Sequence, residues 1–488
     1  MRPHTGLLGF ALPSIAATTL GNRRQSTASF EERCLQFRPE GSVQNSTRTE
    51  LQFVKAGSSI GLSDNDPTCS QKSQGVTVDV CRVALSIPTS NRSSITYEMW
   101  LPEDWSARFL ATGNGGIGGC VAYNDLAYGT ANGFATVGTN NGHNGTNGDT
   151  FYQNEDVVED FGWRSLHTSV EVGKKLTALF YGAAADKSYF IGCSLGGRQG
   201  IHSAELFPED FDGIVAGAPA VDFNNLYSSR ARYFTVTGAN GEPSFIDAGT
   251  WQTTIHNEVL RQCDGIDGAA DGIIEDPTLC RFRPETLLCG TRKTTKGDCL
   301  TDAQVQTVNT IFNDYLWPNG SLLYPAMQPG TYGPSVGWFK FAVLEDPSWD
   351  PATFTANDAL VAGRKDPGGI RTWPSSLAAF EGRGGKILTH HGQQDQQITS
   401  FNSIRFYEHL ARGMGPGIPF DREHNVLAAV VDWVEKGVAP EALVGTKFVN
   451  DTVDEGIAYQ HTHCKFPAKS TFKGGDRDPR DVGSWECT

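Results

Sequence analysis

The five residues Gly192-Cys193-Ser194-Leu195-Gly196 form a G-x-S-x-G run, and their context decides what the serine can do. KSYFI before them is β-rich and GRQGIHSAELF after them is helical in pattern, so Ser194 is predicted on a sharp strand-to-helix turn. Flanking glycines relieve crowding on such a turn, and the hydroxyl projects above the sheet edge as a nucleophile. The amide of Leu195, at the start of the helix, is placed to donate to a developing oxyanion. The bland alternative is a tight glycine turn that only packs.

A serine hydroxyl needs a base to take its proton and an acid to orient that base. On an elbow of this kind the chain order is serine, acid, histidine. Downstream of Ser194 stand His202, His256, His390, His391, His424, His461 and His463, and their spacing alone does not choose among them. The cysteines do: Cys193 directly precedes Ser194 and Cys464 directly follows His463. A Cys193–Cys464 disulfide would hold the two Cα atoms about 4.4–6.8 Å apart and bring Ser194 and His463 together. His463 is therefore the predicted base, with His461 as fallback; the competing reading pairs Cys464 elsewhere and leaves His463 on the surface. Asp395, in a turn-rich loop after the strand-like GGKILTHHG, is the predicted acid, and Asp432, within a helical pattern, suits the role less well. The second oxyanion amide is assigned to Gly115 or Gly116, in the glycine-rich run after the strand ARFLA.

A second constellation is acidic. Cys263-Asp264-Gly265-Ile266-Asp267-Gly268-Ala269-Ala270-Asp271-Gly272-Ile273 packs three carboxylates into eight residues, with glycines for tight turning. Hard oxygen ligands of this kind suit Ca²⁺, although the spacing is not that of an EF-hand and a solvated turn would read the same. Cys263 could pin the loop through Cys280, and the reading is of a structural ion far from the chemistry.

The elements that must position these residues follow from periodicity. From about Ser94 to Pro219, short β-rich runs (SITYEMWL, ARFLATG, GFATVGT, KSYFIG) alternate with helical stretches, which predicts an α/β fold with a mostly parallel central sheet flanked by helices. In SLHTSVEVGKKLTALFYG, Leu166, Val170, Leu176, Leu179 and Phe180 fall near one helical face, with Gly173 in the gap. The pattern resumes with GGKILTHHG as a strand and NVLAAVVDWVEKG as a helix. Between these halves, residues 221–380 lose the rhythm and fill with Gly, Pro, Cys and aromatics such as Trp317, Tyr324, Trp338, Phe339 and Trp349. A structureless loop of that length is improbable inside a compact domain, so residues 221–380 are read as an inserted lid carrying the acidic loop, within a catalytic domain of residues 22–220 and 381–488.

Composition excludes other classes. A formal charge of −15 with no cationic run argues against a nucleic-acid partner. Residues 1–21 combine Arg2, a short apolar stretch and small residues at Ala16 and Ala17, which reads as an export signal; a disordered extension is the alternative. No other stretch approaches the roughly 18–20 apolar residues of a membrane helix. Eleven cysteines and the N-x-S/T sequons at Asn45, Asn91, Asn144, Asn319 and Asn450 fit a secreted, glycosylated, disulfide-bonded protein.

Taken together, TGNGG, NEDVVEDFGWRSLH, YFIGCSLGGRQGIHSAELFPEDFDGIVAGAPA, CDGIDGAADG, HGQQD and HCKFP resemble the tannase and feruloyl esterase family, whose members have the α/β-hydrolase fold. The resemblance spans most of the chain, loosely between 290 and 380. It implies Ser194, Asp395 and His463 as the triad, and a calcium ion held in the lid by Asp264, Asp267, Ala269, Asp271 and Ile273. It implies the pairs Cys34–Cys81, Cys69–Cys120, Cys263–Cys280 and Cys289–Cys299 beside Cys193–Cys464, which leaves Cys487 as a free thiol or for an intermolecular bridge. The implied activity is hydrolysis of a small aromatic ester or feruloylated oligosaccharide, with ferulate-type acids first and galloyl esters second. A non-catalytic binding protein on the same scaffold is the rival of another class. A redox role is weaker, since no C-x-x-C occurs.

Overall fold

A computed structural model of the chain describes residues 28–290, 299–327, 336–411, 425–452 and 455–488. The export signal expected over 1–21 and the candidate His424 lie outside the described residues.

The centre is an eight-stranded sheet built from β1 (Thr47–Val54), β2 (Val80–Pro88), β3 (Ser94–Pro102), β4 (Arg108–Thr112), β5 (Phe134–Thr139), β6 (Lys187–Cys193), β7 (Gly213–Gly217) and β8 (Lys386–His390). Its order is β1-β2-β3-β5-β4-β6-β7-β8: the first four pair antiparallel, and β5, β4, β6, β7 and β8 run parallel. Every residue of β5 and β7 is buried, as expected of parallel strands covered on both faces. This is the predicted α/β-hydrolase arrangement, with the functional loops at the carboxyl ends of the parallel strands.

Helix α1 (Ser165–Tyr181) buries Leu166, Val170, Gly173, Leu176 and Phe180. Gly173 is required by packing: a Cβ there would lie 2.6 Å from the Phe109 ring. Leu179, expected near the same stripe, is 51% exposed, because the helical rotation carries it onto the flank. The helix closes at Gly182 in a left-handed conformation. Helix α2 (Leu195–Leu206) follows β6 directly and is buried from Leu195 through Ala204.

Residues 221–380 carry helices α3 (Phe223–Thr237), α4 (His256–Cys263), α5 (Asp302–Ile311) and α6 (Ala356–Lys365). Ile255, Val259, Leu300, Val308 and Ile311 form a core of their own there. A second cluster is a shared seam, in which Phe223, Trp338 and Phe339 pack on Phe151, Phe161 and Leu195. Of the aromatics in that interval, Tyr324, Trp338 and Phe339 are fully buried in this seam.

After β8, helix α7 (Val426–Lys436) is capped by the Asn425 side chain, which accepts from the Ala428 amide, and ends at left-handed Gly437. Asp432 lies on it and pairs with Lys436 at 2.7 Å, which removes it as a candidate acid. The chain then forms a hairpin outside the main sheet, β9 (Ala442–Phe448) with β10 (Ile457–Cys464), and a short ladder of β11 (Ser470–Phe472) with β12 (Trp485–Cys487).

The disulfides Cys34–Cys81, Cys69–Cys120, Cys263–Cys280 and Cys289–Cys299 are formed. The expected Cys193–Cys464 bridge is not. Cys464 is bonded to Cys487, and Cys193 is a free, exposed cysteine. The reason is long-range: Trp485 packs on Phe472 and on His461 of β10, which draws the C-terminal strand, and Cys487 with it, against the end of β10. Cys487 therefore has a partner after all, upstream in the hairpin.

Candidate active site

Ser194 sits at the N-terminus of α2 with φ 60° and ψ −119°. Such a conformation costs a non-glycine residue about 1–3 kcal/mol and persists only where the surroundings impose it. The surroundings do: the Ser194 amide donates to the Gly217 carbonyl at 2.9 Å, and its own carbonyl accepts from the Ala220 amide at 3.0 Å and the Arg198 amide at 3.1 Å. The neighbouring glycines are steric necessities. A Cβ on Gly192 would come within 2.8 Å of the Gly196 backbone, and one on Gly113 within 2.6 Å of the Gly196 Cα. The glycine-rich loop thus lies directly on the elbow.

That loop is held by a buried amide network. Gln199 on α2 accepts from the Asn114 amide at 2.9 Å, and its Nε2 donates to Asn141 Oδ1 at 3.0 Å. Asn114 Nδ2 donates to the carbonyls of Thr139 and Cys120, and Ser165 Oγ donates to Asn141 Oδ1. Gly115 and Gly116 stand exposed at the tip beside the elbow, with Gly116 at φ 62°. Leu195, first residue of α2, has an amide with no intrahelical acceptor. These amides remain the candidates for oxyanion donors. The roles of Asn114, Asn141 and Gln199 are not legible in the sequence because the hydrogen bonds that join them span 58 to 85 residues of chain.

Cys193, Gly217 and His390 lie in register across the carboxyl ends of β6, β7 and β8. The His390 ring covers Gly217, where a Cβ would lie 2.9 Å from its Nε2. Asp395 follows in the next loop and shares this edge: desolvation first, and then the Asp395 charge, push the Cys193 thiol above its ordinary pKa. Asp395 is tightly held. Its Oδ1 accepts from the Gln397 amide at 2.8 Å and the Ile398 amide at 3.0 Å, and its Oδ2 lies 3.3 Å from His391 Nε2. Burial works against the charge, yet His391 and the two amides hold the carboxyl below its usual range. His391 is itself fixed by Ser403 Oγ at 2.7 Å and the Ile398 carbonyl at 2.9 Å. It is a positioning residue that spacing alone did not single out.

His463 lies at the exposed end of β10, and its ring folds back across β9, where a Cβ on Gly445 would be 2.2 Å from Nε2. Desolvation by the surrounding chain holds its pKa below the ordinary histidine value, with Glu275 opposing and His461 reinforcing the shift. His463 in turn lowers the His390 pKa, after burial and His391, so the two rings share one electrostatic neighbourhood. Neither Ser194 Oγ nor the His463 ring makes a hydrogen bond among the described residues, and Asp395 faces His391 rather than His463. The structure therefore gathers Ser194, the glycine loop and Asp395 at one sheet edge with His463 on the adjacent hairpin, without triad hydrogen bonds.

The fallback base, His461, points elsewhere: it is buried, with Nδ1 3.4 Å from Glu275 and Nε2 3.6 Å from Asp271. The acidic loop thus abuts the hairpin that carries His463 instead of lying far from it. Cys263–Cys280 pins the loop. Asp264 and Asp271 each accept a backbone amide on one oxygen, from Gly272 and Ile273, and Asp267 accepts on both, from Ala269 and Glu275. Among the described residues no three His, Cys, Asp or Glu side chains gather as a ready metal site. What fits a hard cation is the donor set: Asp271 Oδ2 is buried without a hydrogen-bond partner, and burial followed by carboxylate repulsion raises the pKa of Asp267 and Asp271.

A model for tannase and feruloyl esterase matches residues 80–335. A protein named "Probable feruloyl esterase B-2" from Aspergillus flavus is 49% identical over 90% of this chain and 93% of its own length. Its namesake from Aspergillus fumigatus is 42% identical over 94% of this chain and 96% of its own length. Feruloyl esterase B from Aspergillus oryzae superposes with a TM-score of 0.87 at 42% identity, covering 94% of this chain and 100% of its own. Tannin acyl hydrolase from Aspergillus niger shares the fold, with a TM-score of 0.73 at 22% identity over 94% of this chain and 95% of its own.

Proposed function

Because this chain belongs to the tannase and feruloyl esterase family and is a carboxylic ester hydrolase, we propose that it cleaves hydroxycinnamoyl esters through an acyl-enzyme formed on Ser194. The observation that carries the proposal is the strained Ser194 elbow with the Gly113–Gly116 loop packed on it. Ser194 Oγ attacks the ester carbonyl while His463 takes its proton, and the carbonyl oxygen becomes an oxyanion facing the amides of Leu195 and Gly115 or Gly116. His463 then returns the proton to the leaving alkoxide, and a water activated in the same way releases the acid. Asp395, held ionised by His391 and two amides, stabilises the imidazolium.

His463, the base that the family resemblance implies, is preferred over four of the other candidates. His461 is turned to the acidic loop and His391 is engaged with Asp395 and Ser403. His202 lies two turns down α2, and His256 lies on α4 in the inserted region. The relatives' names support feruloyl esters, either small or on an oligosaccharide. Asp264, Asp267 and Asp271, with the carbonyls of Ala269 and Ile273, are proposed to hold a structural Ca²⁺ that neutralises the loop. Five disulfides and five exposed sequon asparagines support a secreted glycoprotein, and no helix among the described residues is long and apolar enough to cross a membrane.

The test is release of free acid from methyl ferulate and methyl gallate by wild type and Ser194→Ala. Ferulate release that disappears in Ser194→Ala is expected. Release of gallate alone would move the substrate class to galloyl esters, and undiminished hydrolysis by Ser194→Ala would remove the serine from the mechanism.

A further inference from the structure

A cavity of about 690 Å³ opens between the far end of α2, the segment 151–163 and the loop after α6. His202 and Glu205 line it, 8 and 11 residues beyond Ser194 on one helix, so it lies about 12–16 Å from the nucleophile along the helix axis. Its volume is that of a ligand site. Four of the twelve non-glycine residues with positive φ among the described residues line it: Gln153 (53°), Glu345 (52°), Asp366 (37°) and Thr372 (51°). A β-branched residue such as Thr372 is an outlier in that region, and strain of this kind concentrates at binding sites.

The polar groups define what fits. His202 is 6% exposed, and its Nδ1 accepts from the fully buried Arg198 guanidinium at 3.2 Å and lies 2.6 Å from Thr372 Oγ1. Arg198 has only hydrogen to give, so the His202 proton is on Nε2, which has no partner among the described residues and meets the cavity as a donor. Glu155 and Glu205 on the wall are likewise without hydrogen-bond or ion-pair partners among the described residues. The two cations are engaged: Lys365 with Glu345, and Arg371 with Asp222 at 3.0 Å. Trp163 adds a half-exposed indole.

A ligand for this site must donate hydrogen bonds to carboxylates, accept one from a neutral imidazole, and offer C–H faces to an indole. An anion would face Glu155 and Glu205, and a cation would leave the His202 donor unused. We propose that the cavity is a second binding site, remote from Ser194, for a neutral oligosaccharide, whose hydroxyls donate to Glu155 and Glu205 and accept from His202.

The probes are xylotetraose and cellotetraose, titrated into the full-length protein by calorimetry, with spermidine as the cationic control. At least one tetrasaccharide is expected to bind. Glu205→Gln and Trp163→Ala should each weaken it about tenfold, the loss of one charge-assisted hydrogen bond or one stacking face. Both positions lie on the cavity wall, so hydrolysis of methyl ferulate should be unchanged in either variant, and the bound sugar should not compete with that ester. The proposal is overturned if neither sugar binds at ~10 mM, if both variants bind as wild type does, if spermidine alone binds, or if the sugar competes with the ester at Ser194.

Discussion

At the scale of single residues, the account turns on one hydroxyl and one imidazole. As the proposed base, His463 acts only while neutral, and its surroundings depress its pKa. Hydrolysis should therefore be retained as pH falls below the ordinary histidine value of about 6.5 and be lost only at lower pH. A pH profile of kcat/KM for methyl ferulate checks this; an acid limb above pH ~6.5 would mean that a different group titrates. Gly445 offers an independent handle, since a methyl there collides with the His463 ring. Gly445→Ala should lower kcat at least tenfold while the far-ultraviolet circular dichroism is unchanged, whereas Val444→Ala, one residue away, should not. Ser194 was legible in the sequence because its glycines are local. His391, Gly445 and the direction of His461 were not, because each acquires its role from a strand or loop that only the folded chain brings near.

At the scale of elements, the elbow, the glycine loop and the acidic loop are separate devices with separate failures. Gly196→Ala would press a methyl against the Asn114 carbonyl and the Gly113 Cα, 3.2 Å away in each case, and force the glycine loop off the elbow. The expected cost is about 1–3 kcal/mol of stability, read by urea unfolding, together with a loss of kcat larger than that of KM. The acidic loop should respond to metal instead. Chelation should lower the melting temperature of wild type and added Ca²⁺ should restore it, while Asp271→Asn should melt low and ignore both. A melting temperature indifferent to chelator and Ca²⁺ in wild type would remove the ion. The parallel strands and the elbow helix were readable from periodicity and apolar runs. The β9–β10 hairpin was not, since the segment between EALVGTKF and GIAYQHTHC reads equally as a hairpin turn or as a loop.

At the scale of the whole molecule, long-range closure decides what sequence adjacency cannot. Cys193 and Cys464 flank Ser194 and His463, which pointed to their pairing, yet the C-terminal strand closes on β10 and bonds Cys487 to Cys464. Titration of the native protein with a thiol reagent should therefore find one accessible cysteine, and peptide mapping should recover Cys464 joined to Cys487. A peptide joining Cys193 to Cys464 would contradict this closure. The fully buried Arg198, its pKa pushed down to about 9 by burial, lies beside His202, whose pKa burial and Arg198 push down to about 3. A histidine depressed in the folded state binds its proton more readily when unfolded, so stability falls as pH drops from the unfolded value of about 6.5 toward 3. His202→Gln should flatten that acid dependence in melting temperature. The catalytic assignment itself is tested most directly by labelling the native protein with a fluorophosphonate and locating the adduct by mass spectrometry. An adduct on Ser194, formed far more slowly in His463→Ala than in His461→Ala, is the predicted result. Labelling at another residue, or labelling that ignores His463, would contradict it.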